Sequence, residues 1–443
     1  MSNASLLNNR PARTDATSVD TELSRIRREL HQQVIRGMDL SLISEMHEED
    51  LRQEVREIAR ELCQRRSDLL SLGEREGLVN EVMDEVFGLG PLEPLFHDHD
   101  VTDILINGPK SVYIERYGKL SLSEVKFIDD DHVMSIVQRI VGRVGRRIDE
   151  TTPMVDARLP DGSRLNAIIP PLALDGPLVS IRRFGARRLT VDDLMTHGSI
   201  TPEIVNFMAA CVEGRINVLI SGGTGSGKTT LLNVLSSFIP PDERVATIED
   251  AAELQLQQPH VVRMETRPAN LEGEGQVSTR DLVRNSLRMR PDRILVGECR
   301  GPEALDMLQA MNTGHEGSLT TVHANSTRDA TSRLEMMVGM AGFDLPVWTI
   351  RKQLASAIQI VVQTARLIGG PRKVVRVSEI TGMEGDVITM HDIFEFQQAG
   401  LDENRVAVGN VVATGIRPHI MQKLHNSGID LPVEMFERRV LAE

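Results

Sequence analysis

The sequence predicts an α/β fold whose mostly parallel sheet is organised around one glycine-rich strand-to-helix turn. A smaller α+β domain and an N-terminal helical region precede it. Three observations carry this. The stretch Asn217–Leu232, NVLISGGTGSGKTTLL, passes from a buried apolar run into glycines and then into a helix-forming segment. Beyond it, strand-like and helix-like runs alternate to about residue 340, the pattern of a parallel sheet with helices on its faces. Before it, between Leu92 and Phe184, short alternating runs are separated by Asn107-Gly108 and Pro160-Asp161-Gly162 turns, the pattern of an α+β module.

Residues 1–20 are rich in Ser, Thr, Asn and Asp without periodicity and read as a disordered tail. Residues 21–87 form a helical region. Leu23, Ile26, Leu30 and Val34, then Leu51, Val55, Ile58 and Leu62, then Leu78, Val82, Met83 and Val86 repeat at three and four. The Gly88-Leu89-Gly90-Pro91 sequence stops the last of these helices. Residues 88–184 form the α+β domain, with strands at 103–106, 112–116, 120–127, 155–159, 164–169 and 178–183, and a helix carrying Val133, Ile136, Ile140 and Val141. Residues 185–200 are the connector, and Thr201-Pro202 restarts a helix that opens the domain 201–443. In that domain strands are expected at 216–220, 244–248, 261–265, 293–296 and 318–322. Helices are expected at 229–238, 279–289, 302–311 and 327–340. Two later β-like runs, 358–365 and 374–396, extend the sheet.

Gly222, Gly227, Lys228 and Thr229 satisfy G-x-x-x-x-G-K-[ST]. The spacing has a physical reason: glycines let successive N–H groups point inward at phosphate, and the next helix adds the positive end of its dipole. The nucleotide-binding residues expected are Gly222, Gly223, Thr224, Gly225, Ser226, Gly227, Lys228, Thr229 and Thr230, holding ATP with Mg²⁺. Lys228 would reach the β- and γ-phosphates, and the Thr229 hydroxyl would ligate the metal directly.

Catalytic groups in such sheets collect at the carboxyl ends of strands. One strand ends in Glu249 and Asp250 with Glu253 close behind, and another, ILVGECRG, ends in Glu298. Glu298 is the candidate that polarises or positions the attacking water and holds Mg²⁺ through water. His315 and His323 bracket the next strand. A zinc site is not supported because no third ligand lies at metal spacing, so an imidazole that senses the γ-phosphate is the better reading, above all for His323. Charge developing on a transferred phosphoryl group calls for arginine, for which Arg158, Arg164, Arg182 and Arg183 are candidates outside the glycine-loop domain.

Net charge −14 and 3% aromatic residues argue against a general nucleic-acid binder. Three widely spaced cysteines suggest neither a disulfide framework nor a cysteine zinc site, and fit a reducing cytoplasmic compartment. No apolar run reaches membrane-span length and the polar start lacks a signal-peptide core, so membrane association is expected to be indirect, through protein partners.

With these residues assembled, the chain resembles the secretion ATPase superfamily of type II secretion, type IV pili and type IV secretion. Four of its boxes occur in order: Walker A GGTGSGKTT, an acidic box TIEDAAELQL, an atypical Walker B ILVGECRG with Gly297 where an acid usually stands, and a histidine box GHEGSLTTVHANS. FGLGPLEPLF, DILINGP, SVYIER, PMVDARLPDGSRLNAIIPPLALDGP and SIRRFG give a closer likeness to the CpaF-type (TadA-like) ATPases of tight-adherence pilus assembly. The resemblance implies a RecA-like ATPase domain preceded by a PAS-like α+β domain, in a homohexameric ring. It implies that Arg164 and Arg182 reach the nucleotide across the cleft. It also implies a motor at the cytoplasmic face of the bacterial inner membrane, acting on polytopic platform proteins to assemble, and in some members retract, a pilus. A conjugative DNA-transfer ATPase and a nucleotide-gated scaffold with little hydrolysis are the alternatives.

Overall fold

The computed structural model describes residues 48–64, 71–116, 118–184, 188–267, 269 and 274–442. The expected tail and first helical pattern therefore lie outside the described residues. The chain divides into two compact units, residues 1–184 and 185–443.

In the first unit, α1 (Glu48–Gln64) and α2 (Leu72–Phe87) bury Val55, Ala59 and Cys63 against Leu78, Val79, Val82 and Met83, while Leu51, Ile58, Leu62 and Val86 of the expected pattern pack partly buried beside them. Ser71 and Glu74 close a capping box at the start of α2, each side chain accepting from the other's backbone N–H. Gly90 ends the following turn at φ +58°, where an added Cβ would stand 2.6 Å from Ile136. The turn leads through α3 (Glu93–His97) into β1 (Val101–Asn107), β2 (Val112–Arg116) and β3 (Lys119–Leu122). Helix α4 (Asp130–Arg143) follows, then β4 (Met154–Arg158), β5 (Arg164–Ile168) and β6 (Leu178–Arg182). The six strands form one antiparallel sheet in the order β3-β2-β1-β6-β5-β4. One face is covered by Val133, Ile136, Val137, Ile140 and Val141 of α4. The third strand is shorter than expected because all four of its residues are exposed and bury nothing that would extend it.

In the second unit, α5 (Val191–Thr196) and α6 (Pro202–Glu213) are both N-capped by threonine, Thr190 and Thr201. There follow β7 (Val218–Gly222), α7 (Lys228–Ser236), β8 (Val245–Glu249), β9 (Val261–Glu265), α8 (Thr279–Ser286), β10 (Arg293–Cys299), α9 (Glu303–Asn312), β11 (Leu319–His323), α10 (Thr327–Gly339) and α11 (Val347–Ala357). The chain ends with β12 (Ile360–Arg366), β13 (Arg372–Glu384), β14 (Val387–Leu401), β15 (Ala407–Ala413), α12 (Met421–Asn426) and β16 (Arg439–Ala442). The sheet order is β16-β15-β14-β13-β12-β7-β11-β10-β8-β9. The strands from β12 to β9 are parallel, and β13–β16 add an antiparallel flank. The mixed α/β class is as the sequence predicts.

Side-chain alternation along β7 shows how the sheet is covered. Val218 and Ile220 join the core formed with α6 and α7, whereas Leu219 joins the opposite core formed with α9, α10 and α11. Burial on both faces explains why the parallel strands read as continuous apolar runs rather than alternating ones. The three cysteines, all reduced, are buried in three different cores: Cys63 between α1 and α2, Cys211 in the first core of the second unit and Cys299 in the second. Among the described residues no helix is long and apolar enough to cross a membrane.

Candidate functional site

The glycine loop lies at the carboxyl end of β7, between β11 on one side and β12 on the other. Gly222 must lack a side chain, because a Cβ there would stand 2.4 Å from both Ser226 Oγ and Thr364 Oγ1. Those two hydroxyls bond each other at 2.9 Å, which pins the loop to β12. Gly225 and Gly227 have φ of +66° and +96°, the left-handed conformation that turns the backbone into a cradle before α7 begins at Lys228. The Lys228 ammonium curls over the cradle and donates to the Gly223 carbonyl at 3.0 Å. Burial pushes its pKa down while Glu298 opposes that shift, so lysine and acid share one electrostatic field.

Glu249 and Gly297 account for the atypical Walker B strand. β8 and β10 pair in parallel up to Ile248 and Val296, so the next residues on each strand are neighbours. A Cβ on Gly297 would stand 2.9 Å from Glu249 Cγ. Glu249 cannot swing aside, since its Oε2 accepts from the backbone N–H groups of Glu253 at 2.7 Å and Leu254 at 2.9 Å. The room that an acid on β10 would fill is occupied by the acid of β8. Burial raises the Glu249 pKa, and its other oxygen is buried with no hydrogen-bond partner among the described residues.

Glu298 is half-buried beyond Gly297, and its Oε2 accepts from Arg300 Nε at 2.8 Å and Nη2 at 2.6 Å. The same guanidinium reaches Asp250 Oδ2 at 3.3 Å, and Thr279 donates to the other oxygen of Asp250 at 3.0 Å. Burial works to lower the Arg300 pKa, yet Glu298, Asp250 and Glu253 together raise it, so the acidic cluster expected from sequence assembles around one arginine that sequence reasoning missed. The signal is in the string GECRG, but its partner Asp250, just past β8, lies 50 residues away.

His323 ends β11 and pairs in register with Gly222, so it flanks the loop directly. His315 does not join the site. It precedes β11, whose five residues separate it from His323 by roughly 16 Å of strand rise, at the amino edge of the sheet. Gly317, two residues on, serves packing instead: a Cβ there would stand 2.7 Å from Arg293, a fully buried arginine paired with Glu243. This corrects the expectation that both histidines face phosphate.

Of the arginines of the first unit, Arg164 and Arg182 are register partners on β5 and β6, and Arg158 pairs with Arg164 from β4, so three arginines form a row across one edge of the sheet. Arg182 Nε also bonds Asp103 at 3.3 Å. Arg183 points elsewhere: its guanidinium binds the carbonyls of Leu95, Phe96 and Asp98 and lies over the Phe96 ring, which clamps α3 to the sheet.

The cradle suits a nucleotide phosphate chain, with glycines where side chains would block it and a lysine inside it. A metal ion here would rest on Thr229, in the first turn of α7, and on the phosphates. Among the described residues no group of three His, Cys, Asp or Glu could hold one alone, and Mg²⁺ is commonly bound through few protein groups together with phosphate oxygens.

Four similarities to known proteins stand beside this site. A family described as "Type II/IV secretion system protein" matches residues 85–402, which spans both units. A protein of Mycobacterium tuberculosis, provisionally named for conjugal transfer, is 40% identical over 324 residues, 71% of this chain and 92% of that protein. The type IV secretion system protein VirB11 of Brucella suis is 32% identical over 314 residues, 65% of this chain and 87% of that one. The crystal structure of the Brucella suis VirB11 ATPase in complex with sulphate has 31% identity over 66% of this chain and 97% of that chain, with a TM-score of 0.36.

Proposed function

We propose a function from one premise: this chain belongs to the family of type II/IV secretion system proteins. The chain is a motor ATPase that binds ATP with Mg²⁺ at Gly222–Thr230 and hydrolyses it. The observation that carries this is the glycine cradle with Lys228 inside it, flanked by Glu298 and His323 at the same edge of the sheet. Glu298 orients the attacking water, with Arg300 fixing its carboxylate, and Glu249 occupies the place beside Gly297 where an acid of β10 would stand. Thr229 ligates the metal, whose chemistry is to neutralise charge on the β- and γ-phosphates.

The working form is a homohexamer in which Arg164 and Arg182 complete the site, as expected where charge on a transferred phosphoryl group needs arginine. Its task is assembly of a tight-adherence pilus through inner-membrane platform proteins, at the cytoplasmic face of that membrane. The strings that resemble the CpaF-type ATPases support this choice. A conjugal-transfer role is favoured instead by the 40% identity to the mycobacterial relative, and DNA-stimulated turnover would select it.

The test is ATP hydrolysis per mole of protein across a wide concentration range, with Glu298→Gln as control. The reading expects specific activity that rises steeply and saturates, and a Glu298→Gln protein that binds ATP without turning it over. Wild-type hydrolysis by that variant would overturn the assignment of Glu298.

A further inference from the structure

The β12–β13 hairpin brings a second pair of arginines to the glycine loop. Arg366 ends β12, Arg372 begins β13, and the two are register partners. Arg372 Nε donates to the Gly225 carbonyl at 2.8 Å, and the Cβ that Gly227 lacks would stand 3.9 Å from Arg372 Cδ. A Cβ on Gly225 would stand 3.9 Å from Arg366 Nη1. The hairpin that presents them is braced. Leu367 N–H donates to the Pro371 carbonyl at 2.7 Å, and the Ile368 carbonyl accepts from Ala407 N–H at 2.9 Å. Gly369 backs so closely onto Val406 that a Cβ would stand 2.6 Å from its Cα. Both guanidinium groups are thus placed by a packed turn.

Strand order decides which end of a nucleotide they would meet. Glu298 lies on β10, which β11 separates from β7, whereas Arg366 and Arg372 lie on the other flank of β7, on β12 and β13. Glu298, the group that orients the attacking water, lies on β10, so the terminal phosphate belongs on that side of the loop. The phosphate chain then crosses the loop toward β12, and the α-phosphate and nucleoside come to the hairpin.

Resting on the reading of the loop as an ATP site, we propose that Arg366 and Arg372 bind the α-phosphate of the nucleotide held by their own subunit. They thereby set affinity for ATP and ADP alike and leave hydrolysis to the acid side. Guanidinium suits this task, because it stays charged and its planar fork matches phosphate oxygens. A contact made equally before and at the transition state changes KM and leaves kcat untouched.

The experiment compares Arg366→Gln and Arg372→Gln, with Lys at each position as the conservative variant. It reads kcat and KM for ATP, direct binding of ATP and ADP, and inhibition by pyrophosphate, which fills the loop without an α-phosphate. Each Gln variant is expected to weaken ATP and ADP together by about tenfold, one charge-assisted contact's worth, with kcat and pyrophosphate inhibition unchanged and partial recovery by Lys. Loss of pyrophosphate inhibition in step with ATP would overturn the proposal, since the arginines would then only brace the loop. So would a fall in kcat at constant KM, or unchanged ADP affinity. A wild-type protein that bound no ATP would instead sink the underlying nucleotide reading, which the same binding measurement reveals first.

Discussion

Placing the missing acid on β10 should harm this protein rather than improve it. In Gly297→Asp the new Cβ lies 2.9 Å from Glu249 Cγ and 3.5 Å from its Oε2. Overpacking of this kind costs about 1–3 kcal/mol. The new carboxylate also faces that of Glu249, and keeping both charged roughly 4 Å apart costs at most about 4 kcal/mol at an effective dielectric of 20, a cost capped by proton uptake at Glu249, whose pKa burial already raises. Glu249 cannot relieve the conflict by rotating, because two backbone N–H groups hold its Oε2. The sum, at most on the order of 5 kcal/mol, is comparable with the whole stability of many domains. Urea denaturation followed by circular dichroism should show a large drop in midpoint at unchanged slope, and ATP hydrolysis should fall. The double variant Glu249→Ala/Gly297→Asp should recover much of the midpoint, because the room is then vacated. A Gly297→Asp protein with wild-type stability and hydrolysis at or above the wild-type rate would refute the claim that Glu249 fills this place.

Further outcomes follow from single contacts. Arg293→Met removes the partner of buried Glu243, leaving only the longer 3.2 Å contact from half-exposed Arg215, and should cost about 3–5 kcal/mol in a denaturant titration. Burial raises the Glu249 pKa, so the fold prefers its protonated form. Its contribution to stability is therefore full below the usual glutamate value of 4.5 and is lost as pH rises through the raised value, and Glu249→Gln should flatten that slope in denaturation midpoints measured from pH 4 to 8. His323→Gln should cut kcat by about tenfold or more whereas His315→Gln should leave it near wild type, and steady-state kinetics with equal losses at both positions would contradict their placement at opposite edges.

The glycine loop and its strand and helix were legible because the chemistry sits in consecutive residues, where backbone conformation alone makes the cradle. The acids were legible as types but not as an arrangement. Gly297 reads from sequence as a missing ligand, and only the parallel pairing of β8 with β10 shows it to be clearance for Glu249. The histidine box reads as one unit, yet the strand inside it carries its two ends to opposite edges of the sheet. The run 374–396 reads as one β-like stretch, whereas a turn at Gly385 divides it into β13 and β14. Helix α11 lies outside the expected elements, although Ile350, Leu354 and Ala357 mark its buried face at spacings of four and three. β15 returns from β14 in a hairpin, whereas β16 has only four residues and pairs with β15 from beyond α12, a partnership that local periodicity does not reveal.

The separate burial of the three thiols gives each core its own clock. Burial pushes the Cys299 thiol up to about 12 and the Cys211 thiol well above its ordinary range, and it raises that of Cys63. A buried, protonated sulfur reacts with a thiol reagent only when its surroundings open. The rates at which the three are modified therefore report the local opening of the α1–α2 pair and of each face of the large sheet independently. Cys299 directly follows Glu298, so its rate follows the breathing of the strand that carries the acid.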